Sequence, residues 1–444
     1  MKTPIFDFVR EYAEKKSVRF HMPGHKGKEI LGCEPIDITE IMGADSLYSA
    51  EGIIAESENN ATRLFGTAHT FYSTEGSTLA IKSMLALALS GIKKPRILAA
   101  RGAHKAFIYA AALLDIDVEW IFSGGCSSIC SSATVTAEEI GRALGSNEGI
   151  AAVYVTSPDY LGNIADVSAI AEICHKRGVM LLVDNAHGAY LNFLSPTRHP
   201  IALGADMCCD SAHKTLPALT GGAYLHISER LCGFVENARN TMAVFASTSP
   251  SYLTLASLDL VNAYIENGYR ERLAETVKKT EEVKMRIRAI GIPVLETEPL
   301  KIVIDANEYG YTGEGIAEHL RSDGIEAEFS DVEYTVLMLS AENTDGDLER
   351  LIASLSTLPR QNKIERDMAA LLTAPRRVMS VREAMFSKRE TVSTKDAVGR
   401  ICASPTVSCP PAIPIAVSGE VITDKEIRLF KKYKIEKIEV VKNA

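Results

Sequence analysis

Four His-Lys pairs stand in the chain, at His25-Lys26, His104-Lys105, His175-Lys176 and His213-Lys214, so the dipeptide alone selects nothing. His175-Lys176 closes an amphipathic helical run, where cations complement the helix dipole and need no further role. His213-Lys214 differs. It follows the apolar run ADMCCD through Ser211 and Ala212, and precedes Thr215, Pro217 and Gly221-Gly222. A lysine at the end of a buried strand can lose the charged form, and the neutral amine is what forms a Schiff base with a carbonyl. One strand earlier VMLLVD ends in Asp184, followed by Asn185, Ala186 and His187. Taken singly, Lys214 is also explained by a side chain that reaches out to water, and Asp184 by a solvated turn.

Two further stretches belong with this pair. STEGSTLAIKSMLALAL places Gly76, Ser77 and Thr78 just ahead of a helical run, where backbone N-H groups and hydroxyls suit a phosphate. An ordinary N-cap explains the same letters. RGAHKA sets His104 after the strand RILAA, where a flat ring can lie over another. In chain order these give a phosphate loop, a stacking ring, a carboxylate for a ring nitrogen and a Schiff-base lysine. Each sits at a strand-to-helix or strand-to-loop junction. Together they fit pyridoxal 5'-phosphate (PLP), with Asp184 keeping its pyridine nitrogen protonated so that the ring draws electrons.

The elements that must position these residues read as a doubly wound α/β domain. Short aliphatic runs (RILAA, DVEWIF, AAVYVT, VMLLVD, ADMCCD, GGAYLHI) recur between helical stretches, the pattern of a mostly parallel sheet covered by helices. One crossover is explicit: Asp166 caps, VSAIAEICHKR carries helical spacing, Gly178 stops it and VMLLVD resumes. In such sheets function gathers at the carboxyl ends of strands. The chain divides into an N-terminal segment 1–50, a cofactor-binding large domain 51–270, a small α/β domain 271–365 and a C-terminal unit 366–444.

Bulk properties exclude several classes. A net charge of −9, with no uninterrupted lysine and arginine patch, argues against nucleic acid. No run reaches the roughly 18 apolar residues of a membrane span, and Asp7, Arg10 and Glu11 interrupt any signal-peptide core. A cytoplasmic protein is expected. The nine cysteines match neither a disulfide scaffold nor paired zinc knuckles, so no metal site is expected, and Cys208 and Cys209 read as small core residues.

The same stretches resemble the Orn/Lys/Arg decarboxylases, fold type I PLP enzymes of aspartate-aminotransferase-like architecture. The likeness rests on FHMPGHKG from Phe20, TFYSTEGST, RGAHKA, VDNAHGAY, SAHKTLPALTGGA, STSPSYLTLASLD from Ser247, DAVGRI and PPAIPIAVSGE. It implies PLP on Lys214, Asp184 on the ring nitrogen, His104 over one face and Ala186 under the other. Gly76, Ser77, Thr78 and Ser211 hold the phosphate, His187 lies near the phenolic oxygen, and His213 lies beside the phosphate or the substrate carboxylate. Thr248 reaches the partner subunit's phosphate, making a homodimer the minimal unit and a dimer of dimers the next larger option. Lys214, His213 and His104 are the catalytic candidates. Glu420, Asp331 and Glu333 are candidates for a basic substrate tail, with ordinary exposed acids an equal reading.

The implied reaction is decarboxylation of arginine, lysine or ornithine to the corresponding amine. Whether it serves polyamine synthesis or acid consumption stays open. The resemblance is to a short form without the N-terminal wing domain, so large rings are not expected. Two departures bear on substrate choice: AEGII at 50–54 where relatives often have PEGPI, and SGE at 418–420 in place of PGE. Rival readings are an aminotransferase or lyase on the same core, or a PLP-binding regulatory relative.

Overall fold

The computed structural model describes residues 1–122, 135–366, 375–407 and 414–442. Cys126, Cys130 and Cys409, and the opening PPAI of the last quoted motif, lie outside the described residues. The first elements along the chain are α1 (Pro4–Glu14), α2 (Ile53–Phe65), β1 (His69–Ser73), α3 (Gly76–Ala88), β2 (Arg96–Ala100), α4 (Lys105–Leu114), β3 (Asp117–Ile121), α5 (Ala137–Ser146), β4 (Ala152–Thr156) and α6 (Val167–Lys176). There follow β5 (Met180–Asp184), β6 (Met207–Asp210), α7 (Ala212–Thr215), β7 (Ala223–Ile227), α8 (Val235–Phe245) and α9 (Tyr252–Glu266). The six aliphatic runs all form strands. The strand β1 was not anticipated, because His-Thr-Phe-Tyr-Ser carries too few aliphatic residues to stand out from the loop it leads into.

Two compact units result. One comprises Met1–Gly91 and Met180–Arg272, the other Ile92–Val179 and Leu273–Ala444. In the first, strands run in the order β1-β7-β6-β5, with β5 and β6 parallel and β7 antiparallel to both neighbours. Every residue of β6 and β7 is buried, which is why MCCD and AYLHI show no alternation of polar and apolar residues.

Helix α1 docks onto α9 in the same unit through Asp259. Its Oδ2 accepts from the backbone N-H groups of Ile5 (2.9 Å) and Phe6 (3.0 Å), and its Oδ1 accepts from Ser57 Oγ (2.6 Å). Burial pushes this carboxyl up to about 6, more than Ser57 and the two amides lower it. A carboxyl whose folded pKa exceeds its unfolded value near 3.9 contributes stability that is full below that value and lost as pH rises through about 6. Asp259→Asn removes this dependence. Between about pH 5 and about pH 7.5 the wild type therefore loses about 1 kcal/mol relative to the variant, read by denaturant unfolding at the two pH values. Parallel stability profiles would contradict it.

In the second unit strands run in the order β4-β2-β3, all parallel. The predicted helix is present: Asp166 accepts from Ala169 N (3.0 Å) and Gly178 turns the chain at φ +69° after it. An antiparallel set follows, with Tyr334–Met338 between Lys301–Asp305 and Phe329–Ser330. Its Phe329, Tyr334 and Val336 share one core with Cys402, Ile415 and Phe430 from the C-terminal segment. No helix among the described residues is long and apolar enough to cross a membrane.

Candidate active site

The first unit gathers most of the predicted residues at the ends of β1, β5 and β6. After β1 the chain turns at Gly76, at φ +70°, and its amide donates to Gly221 O (2.8 Å). Gly221 itself sits at φ +95°, where a Cβ would stand 2.9 Å from Thr74 O, so two glycines let the two loops meet. Helix α3 then begins without side-chain help. Its N-cap, Glu75, gives its first N-H groups no oxygen, and that carboxylate instead accepts from Ser247 N (2.7 Å). Ser211 Oγ donates to Ser77 Oγ at 2.9 Å. Two hydroxyls and an uncapped 13-residue helix start thus converge where an anion is stabilised.

Strand β5 delivers Asp184, 2% exposed, whose Oδ1 accepts from Ala186 N (3.2 Å) and lies 3.6 Å from Cys209 Sγ. Burial, and next Asp184 itself, push the Cys209 thiol up, so this neighbour stays protonated and donates. Lys214 lies on the short helix α7, four residues past β6. Its Nζ is 3.0 Å from His187 Nε2. The strand is buried, as the apolar run implied, and Lys214 just past its end is half-buried with its amine facing an imidazole. His213 Nδ1 donates to Gly222 O (2.9 Å), which leaves Nε2 as that ring's basic nitrogen. Thr248 is exposed in the loop between α8 and α9, next to the Ser247 that ties this loop to Glu75.

The remaining candidates belong to the second unit. His104 is the N-cap of α4, its Nδ1 accepting from Ala106 N (3.1 Å), so in the neutral ring the proton sits on Nε2. Glu420, Asp331 and Glu333 are neither exposed nor uncommitted. Arg101 grips Glu420 with two bonds (2.9 and 2.8 Å) and also reaches Ile415 O (3.1 Å). Glu333 pairs with Lys432 (2.8 Å) and Arg366 (3.6 Å). Asp331 Oδ1 accepts from the amides of Glu333 and Tyr334, both at 2.7 Å. The partners these acids meet are the protein's own cations and amides, because a buried carboxylate must be paired where it stands.

Glu420→Ala leaves Arg101 buried and unpaired, both side chains being under 5% exposed. It therefore costs about 3–5 kcal/mol of stability, read by chemical denaturation. A raised KM with unchanged stability would restore Glu420 as a substrate contact.

Sequence reasoning passed over Asp210, which ends β6 as Asp184 ends β5. Its Oδ1 accepts from Asn185 Nδ2 (2.7 Å), tying together the two strand ends that carry Asp184 and Lys214. The signal was available as a second strand-end carboxylate.

An uncapped helix start with two hydroxyls, a buried carboxylate at one strand end and an amine at the next fit a phosphorylated pyridine aldehyde. Fold and site define a fold type I PLP enzyme. The chain belongs to the Orn/Lys/Arg decarboxylase family: the major-domain model matches residues 3–303 and the C-terminal-domain model residues 362–436. It is 30% identical to an arginine decarboxylase of Halalkalibacterium halodurans and 30% identical to one of Bacillus subtilis, in each case over 97% of this chain and 93% of the relative. The Escherichia coli constitutive lysine decarboxylase has the same fold, with TM-score 0.79 and 16% identity over 99% of this chain and 82% of that one.

Proposed function

We propose that the protein decarboxylates arginine, releasing CO2 and the corresponding amine. The observation that carries this reading is the cofactor-type constellation of Lys214, Asp184, Ser77 and Ser211 in a chain that is similar over 97% of its length to proteins named arginine decarboxylases. Bound there, PLP supplies an electron sink for the pair released when the bond between the substrate's α-carbon and its carboxylate breaks.

The chain's own residues do the rest. Gly76, Ser77, Thr78 and Ser211 would hold the phosphate and Asp184 would keep the ring nitrogen protonated, with the ring-contact roles of Ala186 and His104 carried over from the family resemblance. His187, 3.0 Å from Lys214 Nζ, would keep that amine in place and lie near the phenolic oxygen. Lys214 would be the amine that yields to the substrate's α-amine, and the surrounding residues would orient the substrate's carboxylate for its loss. The departing carboxylate is replaced by a proton, delivered from Lys214 Nζ or from His213 Nε2, the nitrogen its bond to Gly222 leaves available.

Incubation with arginine, lysine and ornithine, following CO2 and amine, tests the reading. Arginine should give the highest kcat/KM. Keto-acid formation without CO2 would replace it with transamination.

A homodimer is part of the proposal. Phe20 is 94% and Met42 100% exposed, with Val18, Ile30 and Leu31 also largely open, more apolar surface than one segment of a monomer usually shows. Thr248 is exposed, which supports its proposed role at the partner's phosphate. Sedimentation at micromolar concentration should give the mass of two chains; a monomer would remove this role for Thr248.

A further inference from the structure

Behind the cofactor residues, in the interior of the first unit, four donor atoms of three kinds meet. Cys208 and Asp210 stand two apart on β6 and so project to one face of the strand. His226 of β7 is the cross-strand partner of Cys208, and His199 enters from the loop before β6. All four residues are fully buried, and one ligand atom from each lies within 4.8 Å of all the others. His199 Nε2 and His226 Nε2 both point at Asp210 Oδ2, at 3.0 and 3.2 Å, and Cys208 Sγ is 3.9 Å from His199 Nε2.

We propose that His199, Cys208, Asp210 and His226 form a tetrahedral site for a structural zinc ion. Bonds of about 2.0–2.3 Å from zinc to nitrogen, oxygen and sulfur require donor-to-donor edges of roughly 3.3–3.6 Å. The two nitrogen-to-oxygen edges, at 3.0 and 3.2 Å, and the sulfur-to-His199 edge, at 3.9 Å, are within about half an ångström of this, and the other edges, none longer than 4.8 Å, must close by at most about 1.5 Å. Two imidazoles, one carboxylate and one thiolate are a borderline-soft set that suits zinc better than magnesium or calcium.

Charge favours the site as well. A divalent ion with one carboxylate and one thiolate is neutral, so a fully buried centre carries no net charge. On binding, the Cys208 thiol gives up its proton to solvent and each imidazole moves its proton from Nε2 to Nδ1. His226 Nδ1 already faces Thr70 Oγ1 at 2.9 Å, and Asn185 holds the other oxygen of Asp210, the supports that orient zinc ligands. His199 Nδ1 is buried and has no hydrogen-bond partner, whereas its Nε2 faces Asp210 Oδ2, so binding the metal exchanges that one contact for a bond to the ion. The metal would pin β6, β7 and the loop before β6 immediately ahead of Ser211 and Lys214.

The full-length holoenzyme, produced with zinc supplementation and purified without chelator, should carry about one zinc per chain by mass spectrometric metal analysis. In Cys208→Val and in His199→Gln, each checked for native circular dichroism and bound PLP, the content should fall to below about a tenth. Protein produced with cobalt(II) gives a second readout that needs no variant: near-ultraviolet thiolate-to-cobalt charge transfer. Zinc-free, fully folded wild type without such a cobalt band would overturn the proposal and leave a hydrogen-bonded Asp210 with two imidazole donors. So would a full equivalent of zinc retained by both variants.

Discussion

Lys214→Ala is expected to lower turnover by about 10⁴-fold or more and to abolish the visible absorbance of the lysine-linked cofactor, since it removes both the attachment and a proton carrier. The tertiary placement makes the assignment specific. Lys214 lies one residue from the end of α7, with its amine 3.0 Å from His187 and with Ser211, at the start of the same turn, bonded to the phosphate loop. The proposed attachment and phosphate anchoring would thus lie within four residues. Of the other lysines that follow a histidine, Lys26 donates to His21 O (2.6 Å) in an exposed segment and Lys105 opens α4. Absorbance that persists in the Lys214 variant would move the attachment to one of these.

Asp184→Asn should lower kcat by about 10³-fold with a much smaller change in KM. An ion pair at about 4 Å is worth about 4 kcal/mol at an effective dielectric of 20, and 1.36 kcal/mol is tenfold in rate. Asparagine keeps the shape and can still accept from Ala186 N through its oxygen, so the loss reports the charge and not the turn. A kcat within tenfold of wild type would show that the ring nitrogen does not depend on this carboxylate. The comparison is clean because the Cys209 thiol beside Asp184 stays protonated and cannot supply a substitute anion.

The sequence by itself determined the local parts. Six aliphatic runs specify strands because β-branched and aliphatic side chains suit a sheet buried on both faces, and Asp166 and Gly178 mark the ends of α6 through capping chemistry that acts over three or four residues. Lys214, Asp184 and Ser77 were legible because a strand end followed by small residues is a local pattern. What needed the fold were the partners. Whether Lys214 is buried or held by His187, 27 positions away, depends on how two loops pack. That Arg101, 319 positions earlier, grips Glu420 cannot be read from the sequence around either residue. The cysteine spacings suggested no metal ligand, since the four donors at 199, 208, 210 and 226 share no motif spacing. Only the antiparallel register of β6 with β7, which sets Cys208 beside His226, brings them to one point. Propensity and capping act between neighbours in sequence, whereas charge pairing and ligation act between neighbours in space, and the order of the strands decides which residues those are.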